Sequence, residues 1–315
     1  MKNTVKAAVI VVAVAACGPR GAVVETGAPG AGLLAQVDSA TMLRDLSVLA
    51  HDSMEGRAVA TPGNAKARAF LLRRFSEIGL APVGGTSHQH PFSYTGRNAT
   101  TPTNGVNIVG MVRGTAQPDR YIVVTAHYDH VGVRQGEIFN GADDNASGTA
   151  ALLQVAQHFV RNRPRHSMIF VAFDAEESNL QGARAFVANP PVPAASIALN
   201  VNMDMVGRND RGELYVAGTY HYPQLLPIVQ RVVAVSEVAL IPGHDRPGGS
   251  PGDDWTSASD HGPFHAAKIP FLYFGVEDHA DYHKATDEFE RIQPGFYARA
   301  ARTVLAAVRA LDASL

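Results

Sequence analysis

Five short stretches of this chain carry side chains whose types and spacing could do chemistry. His127-Tyr128-Asp129 follows the β-branched, apolar run Tyr121 to Ala126, so two metal-competent side chains stand one residue apart where a strand runs out. His127 is a candidate ligand, and Asp129 is placed to accept its second ring N–H, the contact that fixes tautomer and orientation at metal-binding histidines. In Gly141 to Gly148 (GADDNASG), Asp143 and Asp144 stand among residues too small to shield them, just before the helix-like run Thr149 to Val160. Glu176 and Glu177 are adjacent in FDAEE, and like charges that close are costly unless a cation or proton compensates. Asp204 lies among apolar neighbours in NVNMDM, where a carboxylate needs a partner. DYHKATD supplies a second imidazole, His283. Singly, each motif also fits a solvated turn, a helix cap or a surface pair.

Together they say more. His127, Asp144, Glu177, Asp204 and His283 make a set of two neutral imidazoles and three carboxylates, a composition suited to a two-metal hydrolytic centre. Two divalent ions balance three carboxylates and a bridging hydroxide, so such a site could be dry without a large solvation cost. Glu176 is left over, poised as general base for a metal-activated water.

The ordered set HYD, GADDNASGTAAL, FDAEE, NMD, SDHGPF and DYHKATD resembles the zinc exopeptidase family of bacterial leucyl aminopeptidase, aminopeptidase Y and glutamate carboxypeptidase II. The run EGRAVATPGNAKARAF is similar to the same family, so the likeness covers most of Leu43 to Leu311. It implies two zinc ions bridged by Asp144, with His127 and Asp204 completing one and Glu177 and His283 the other. Asp144 is preferred to Asp143 because the bridging residue of the family pattern stands immediately before the NASG-like turn, and the same likeness implies a cis peptide to Asn145. Glu176 would be the base and then the proton donor to the leaving amine, and Tyr282 matches a position that polarises the scissile carbonyl. Asp260 and His261 would shape the site wall. The implied activity is an aminopeptidase acting on peptides with a free N-terminus. A carboxypeptidase would need a cationic pocket, for which only Arg208 and Arg211 lie near Asp204; a glutaminyl cyclase would use one zinc; a receptor-like binding module would normally have lost ligands or base.

The elements that must position these groups read as an α/β fold. Strands are expected at Val106 to Val112, Tyr121 to Ala126, Met168 to Phe173, Ile197 to Met203, Leu214 to Val216 and Ile269 to Phe274. Helical patterns at Thr149 to Val160, Gly182 to Val187, Leu225 to Ala239 and Gly295 to Leu311 alternate with them, giving a mixed, mostly parallel sheet covered by helices on both faces. Two earlier helices are expected: one capped by Asp38 or Ser39 with Leu43, Leu46 and Leu49 on one face, one capped by Asn64 and closed by Gly79. The candidate ligands fall just past strand ends, the edge where open α/β sheets bind ligands. Pro242 to Gly262 is a long loop expected to build the specificity pocket.

Lys plus Arg (27) nearly balances Asp plus Glu (29), which leaves no basic footprint for a nucleic-acid partner. Residues 1–16 read as a signal peptide: Lys2 and Lys6 precede the apolar run Ala7 to Ala16, too short to span a bilayer. Val14-Ala15-Ala16-Cys17 resembles a bacterial lipobox, and the following Gly18 resembles an outer-membrane sorting signal. Cys17, the sole cysteine, would then carry a lipid, residues 17–37 would form a tether, and residues 38–315 a single catalytic domain facing the periplasm or attached to the outer membrane.

Overall fold

The computed structural model describes residue 1 and residues 34–96, 99–248, 250 and 252–315. The expected signal peptide, Cys17 and most of the tether lie outside the described residues. Among those described, no helix is long and apolar enough to cross a membrane.

The first helix, α1 (Ser39–Leu49), starts where the Asp38 carboxylate accepts the N–H of Thr41 at 3.0 Å, and it buries Met42, Leu46 and Leu49. Leu43, expected on that face, is only partly buried. The second, α2 (Pro62–Ile78), is capped by the Thr61 hydroxyl rather than by Asn64, because Pro62 is preset for the first turn. Asn64 falls inside the helix and donates to Asp174 at 2.8 Å. Gly79 ends the helix at φ 89°, a left-handed closure that other residues strain to adopt.

The strands are β1 (Gln89–Tyr94), β2 (Thr103–Val112), β3 (Gln117–His127), β4 (Gly132–Arg134), β5 (Glu137–Phe139), β6 (His166–Phe173), β7 (Ile197–Met203), β8 (Glu213–Ala217), β9 (Ala239–Pro242) and β10 (Phe271–Gly275). Eight form one mixed sheet in the order β1-β2-β6-β3-β7-β10-β8-β9, while β4 and β5 form a separate hairpin. The centre, β6-β3-β7-β10, is parallel. Its strands are apolar on both faces because helices cover both. In β6, Met168, Phe170 and Ala172 enter the larger core, and Ile169, Val171 and Phe173 the smaller one behind the sheet.

The remaining helices are α3 (Gly148–Arg161), α4 (Gln181–Ala188), α5 (Leu226–Val233), α6 (His261–Ala266) and α7 (Pro294–Ser314). Residues of α1, α2, α3, α5 and α7 fill the larger core, and Ala183, Phe186 and Phe264 of α4 and α6 the smaller one. One expected helix is corrected: Leu225 to Ala239 is helical only as far as Val233. The chain then turns and pairs Leu240 with Leu214 of β8, a sheet-edge partnership that local helical periodicity does not register. Because β3, β6, β7 and β10 run parallel, the residues that follow each of them emerge at one edge.

Candidate active site

His127 is the last residue of β3, Glu176 and Glu177 follow β6, Asp204 follows β7, and His283 lies beyond β10. Asp144 comes from a tight turn over Ala142–Ser147 that leads into α3. Its peptide bond to Asn145 is cis. The structure brings all five side chains together. His127 Nε2 lies 3.2 Å from Asp204 Oδ1 and 3.4 Å from Asp144 Oδ1. On the far side of Asp144, His283 Nε2 lies 3.1 Å from its Oδ2 and 3.3 Å from Glu177 Oε2. Asp144 thus stands between two clusters.

The surroundings fix these positions. Asp287 accepts the main-chain N–H groups of Asp143 and Asp144 at 3.0 to 3.1 Å and so holds the turn that presents Asp144. Asp143 faces away: its carboxylate accepts from the Ser147 hydroxyl at 2.9 Å and the Gly207 N–H at 2.6 Å, and faces His279 Nε2 at 3.1 Å. The Asp129 carboxylate lies 3.7 Å from His127 Nδ1, too far for the expected hydrogen bond. The ring faces the Asp129 main-chain carbonyl at 3.2 Å instead, which puts the proton on Nδ1 and leaves the Nε2 lone pair for the cluster. The carboxylate of Asp129 is engaged elsewhere, accepting the N–H groups of Glu176 and Glu177 at 3.0 and 3.3 Å.

Three participants were not singled out from sequence. Arg57 is fully buried and its guanidinium donates to the carbonyls of Tyr128 at 2.8 Å, Leu49 and Asn140 at 2.6 Å, and Gly141 at 3.0 Å. Burial lowers it to about 10, against the opposing pull of Asp129, Asp144, Asp287 and Glu177, so it stays charged at neutral pH beneath the site. His279 pairs with Asp143. His130 lies beside Glu177 and is fully buried; the signal was present three residues after His127, in HYDH, but a histidine there reads equally as core.

The carboxyl and imidazole groups of the site perturb one another strongly. Burial raises Glu176, and Asp204, Asp260 and Glu177 push the same way against His127. Glu177 is held down at about 2: burial and Asp144 oppose this, but the imidazoles of His130 and His283 prevail. Hydrogen bonding to Asp144 and Glu177 pushes His283 up to about 10. Tyr282 stacks on His283 with ring centroids 3.9 Å apart, and burial together with Asp144 and Asp204 raises its hydroxyl far above the usual range. Asp260 is buried with neither carboxylate oxygen hydrogen-bonded, and His261 Nε2 lies 2.7 Å from the Trp255 carbonyl in the adjoining wall.

The donor set fits a metal. Among the described residues, two groups have ligand atoms within 4.8 Å of one another: His127, Asp144 and Asp204, and His130, Asp144 and Glu177. Imidazole and carboxylate donors suit zinc, and a cation would relieve the repulsion among these clustered carboxylates.

The model of peptidase family M28 matches residues 107–308. A probable zinc metalloprotease of Pyrenophora tritici-repentis is 33% identical over 155 residues, 47% of this chain and 36% of that protein. The chain spans little more than a third of the length of such curated relatives. Among solved structures, a zinc aminopeptidase from Bacillus subtilis is 18% identical with a TM-score of 0.68, covering 86% of this chain and 94% of that one. A Porphyromonas gingivalis glutaminyl cyclase is 18% identical with a TM-score of 0.71, covering 89% and 99%. These two share the fold. With the family model spanning most of the chain and every strand that carries the clustered ligands, the chain belongs to peptidase family M28.

Proposed function

We propose that this protein is a two-zinc metallo-aminopeptidase that removes the N-terminal residue of peptides. The observation that carries the reading is the pair of His/carboxylate clusters that share Asp144, with the half-buried Glu176 carboxyl beside them. His127, Asp144 and Asp204 would hold one ion; Asp144, Glu177 and His283 the other. Bound zinc supplies Lewis acidity to the scissile carbonyl and to a water. Glu176 takes the proton of the attacking water and delivers it to the leaving amine, a role open to a carboxyl that stands beside both clusters and is not needed as a ligand. Tyr282, neutral and facing the carboxylates, donates a hydrogen bond to the carbonyl oxygen of the substrate. Asp129 keeps Glu176 and Glu177 in place through their main-chain N–H groups.

An aminopeptidase is supported over a carboxypeptidase by the state of the nearby arginines. Arg208 pairs with Asp281 at 2.6 Å and Arg211 with Glu213 at 2.6 Å, so each already has a carboxylate partner within the chain. The test is hydrolysis of a panel of amino-acid p-nitroanilides, with metal content measured on the same sample. About two zinc per chain and chelator-sensitive release are expected, with Glu176→Gln lowering kcat by about 10²–10⁴-fold at unchanged metal content. One zinc per chain, no p-nitroaniline and ammonia released from N-terminal glutamine would replace this reading with a cyclase. Export and lipidation at Cys17 belong to the same proposal and rest on the leader sequence; Cys17→Ala should move the protein from the membrane fraction to the soluble fraction.

A further inference from the structure

The second cluster contains an imidazole that the five-residue ligand set does not use. His130 is 1% exposed, and neither of its ring nitrogens has a hydrogen-bond partner. A buried imidazole with no well-aligned hydrogen bond is rare and costly. Nδ1 nevertheless lies 2.7 Å from Glu177 Oε1 and 3.8 Å from Asp144 Oδ2. Glu177 Oε1 is itself buried and without a hydrogen bond, so the two atoms are close but not aligned. That is the arrangement of two ligands of one ion. With metal–ligand bonds of about 2.0–2.2 Å, neighbouring donors on a zinc stand about 3 Å apart, and their lone pairs aim at the ion rather than at each other.

We infer that His130 is a ligand of the second metal position, joining Asp144, Glu177 and His283; this rests on the two-metal reading above. The ring is held ready for it. Gly141, at φ 52°, packs so closely against the imidazole that a Cβ there would meet His130 Cδ2 and Cγ at 2.5 Å. His283, by contrast, has a side chain 39% exposed, and its ring stands 5.9 Å from that of His130, on the open side of Asp144 and Glu177. With His130 the second position has four protein donors, whereas the first has three, from His127, Asp144 and Asp204. A position with four protein ligands holds its ion firmly, and one with three keeps a place for water and substrate. The two positions therefore differ in kind, one retaining its ion and the other exchanging it.

The test uses the full chain stripped of metal and titrated with zinc against a chromogenic chelator, comparing the native sequence with His130→Ala and His130→Gln. The glutamine keeps a hydrogen-bond donor for Glu177 but has no imidazole nitrogen. Two ions are expected in the native protein. Both variants should weaken one binding step by about 100-fold or more, beyond the 10–100-fold typical of residues that only support a ligand, and leave the other step unchanged. Should either variant fail to fold, the native protein loaded with cadmium and nitrogen-labelled at histidine gives a direct reading: a scalar coupling between the metal and the His130 ring is expected. Unchanged titrations, rescue by glutamine, or no such coupling in a protein that binds two ions overturns the assignment alone. Uptake of a single ion overturns the two-metal reading and the assignment together.

Discussion

The Asp287 carboxylate takes the N–H groups of both Asp143 and Asp144 and thereby sets where the shared carboxylate points. Asp287→Ala should weaken metal binding by about 10–100-fold without unfolding the chain, which a zinc titration beside a thermal melt will read. His283 supports a second prediction at this scale. Its folded pKa of about 10 lies above the ordinary imidazole value because Asp144 and Glu177 face it, with His130 and Tyr282 as the adjoining rings. In the metal-free protein that interaction contributes stability that is full below the unfolded pKa and is lost as pH rises through about 10. A metal ligand must be deprotonated, so zinc uptake at neutral pH should release protons, and affinity should climb with pH toward that value. Calorimetry in two buffers of different ionisation enthalpy checks this; identical apparent enthalpies would contradict it.

At the scale of elements, the site depends on strands arriving in register at one edge. The opposite end of β6 is tied down by α7: Asp312 accepts the N–H of Arg165 at 2.9 Å and of His166 at 2.8 Å, and faces the His166 ring at 3.0 Å. Asp312→Ala leaves the buried His166 donors unpaired and should lower stability by about 1–3 kcal/mol. The denaturant midpoint should fall with an unchanged slope, while zinc stoichiometry stays the same, because the change lies at the far end of the strand.

For the whole molecule, the fold reaches further back than the part matched by the family. Met42, Leu46 and Leu49 of α1 are fully buried, the Asp38 N–H donates to Gln154 of α3 at 3.1 Å, and Arg57 donates to the Leu49 carbonyl. A chain beginning at Asp38 should therefore melt with the full-length protein. One beginning at His51 loses Met42, Leu46 and Leu49 from the core, each worth about 1.5–3 kcal/mol, and should be unstable or aggregate; equal melting temperatures would show that α1 is dispensable.

What the sequence determined by itself is local and ordered. Apolar runs ending in acidic or imidazole residues made the strands and their chemically loaded exits legible, because strand periodicity and charge placement are properties of adjacent residues. His127, Glu177 and Asp204 stand at such exits, and Gly79 reads as a helix stop on the same local grounds, whereas the choice of Asp144 over Asp143 rests on the resemblance of the ordered motifs to zinc exopeptidases. The tertiary structure decided what depends on distant partners. Helical periodicity after Leu225 gave way to β9 because β8 offered an open edge. The Asp129 carboxylate turned from the imidazole it follows to the N–H groups of Glu176 and Glu177, nearly fifty positions away. Arg57 and His130 acquired meaning only when chain segments distant in sequence closed around them. A buried guanidinium or an unpaired imidazole is defined by its surroundings, and those exist only in the folded chain.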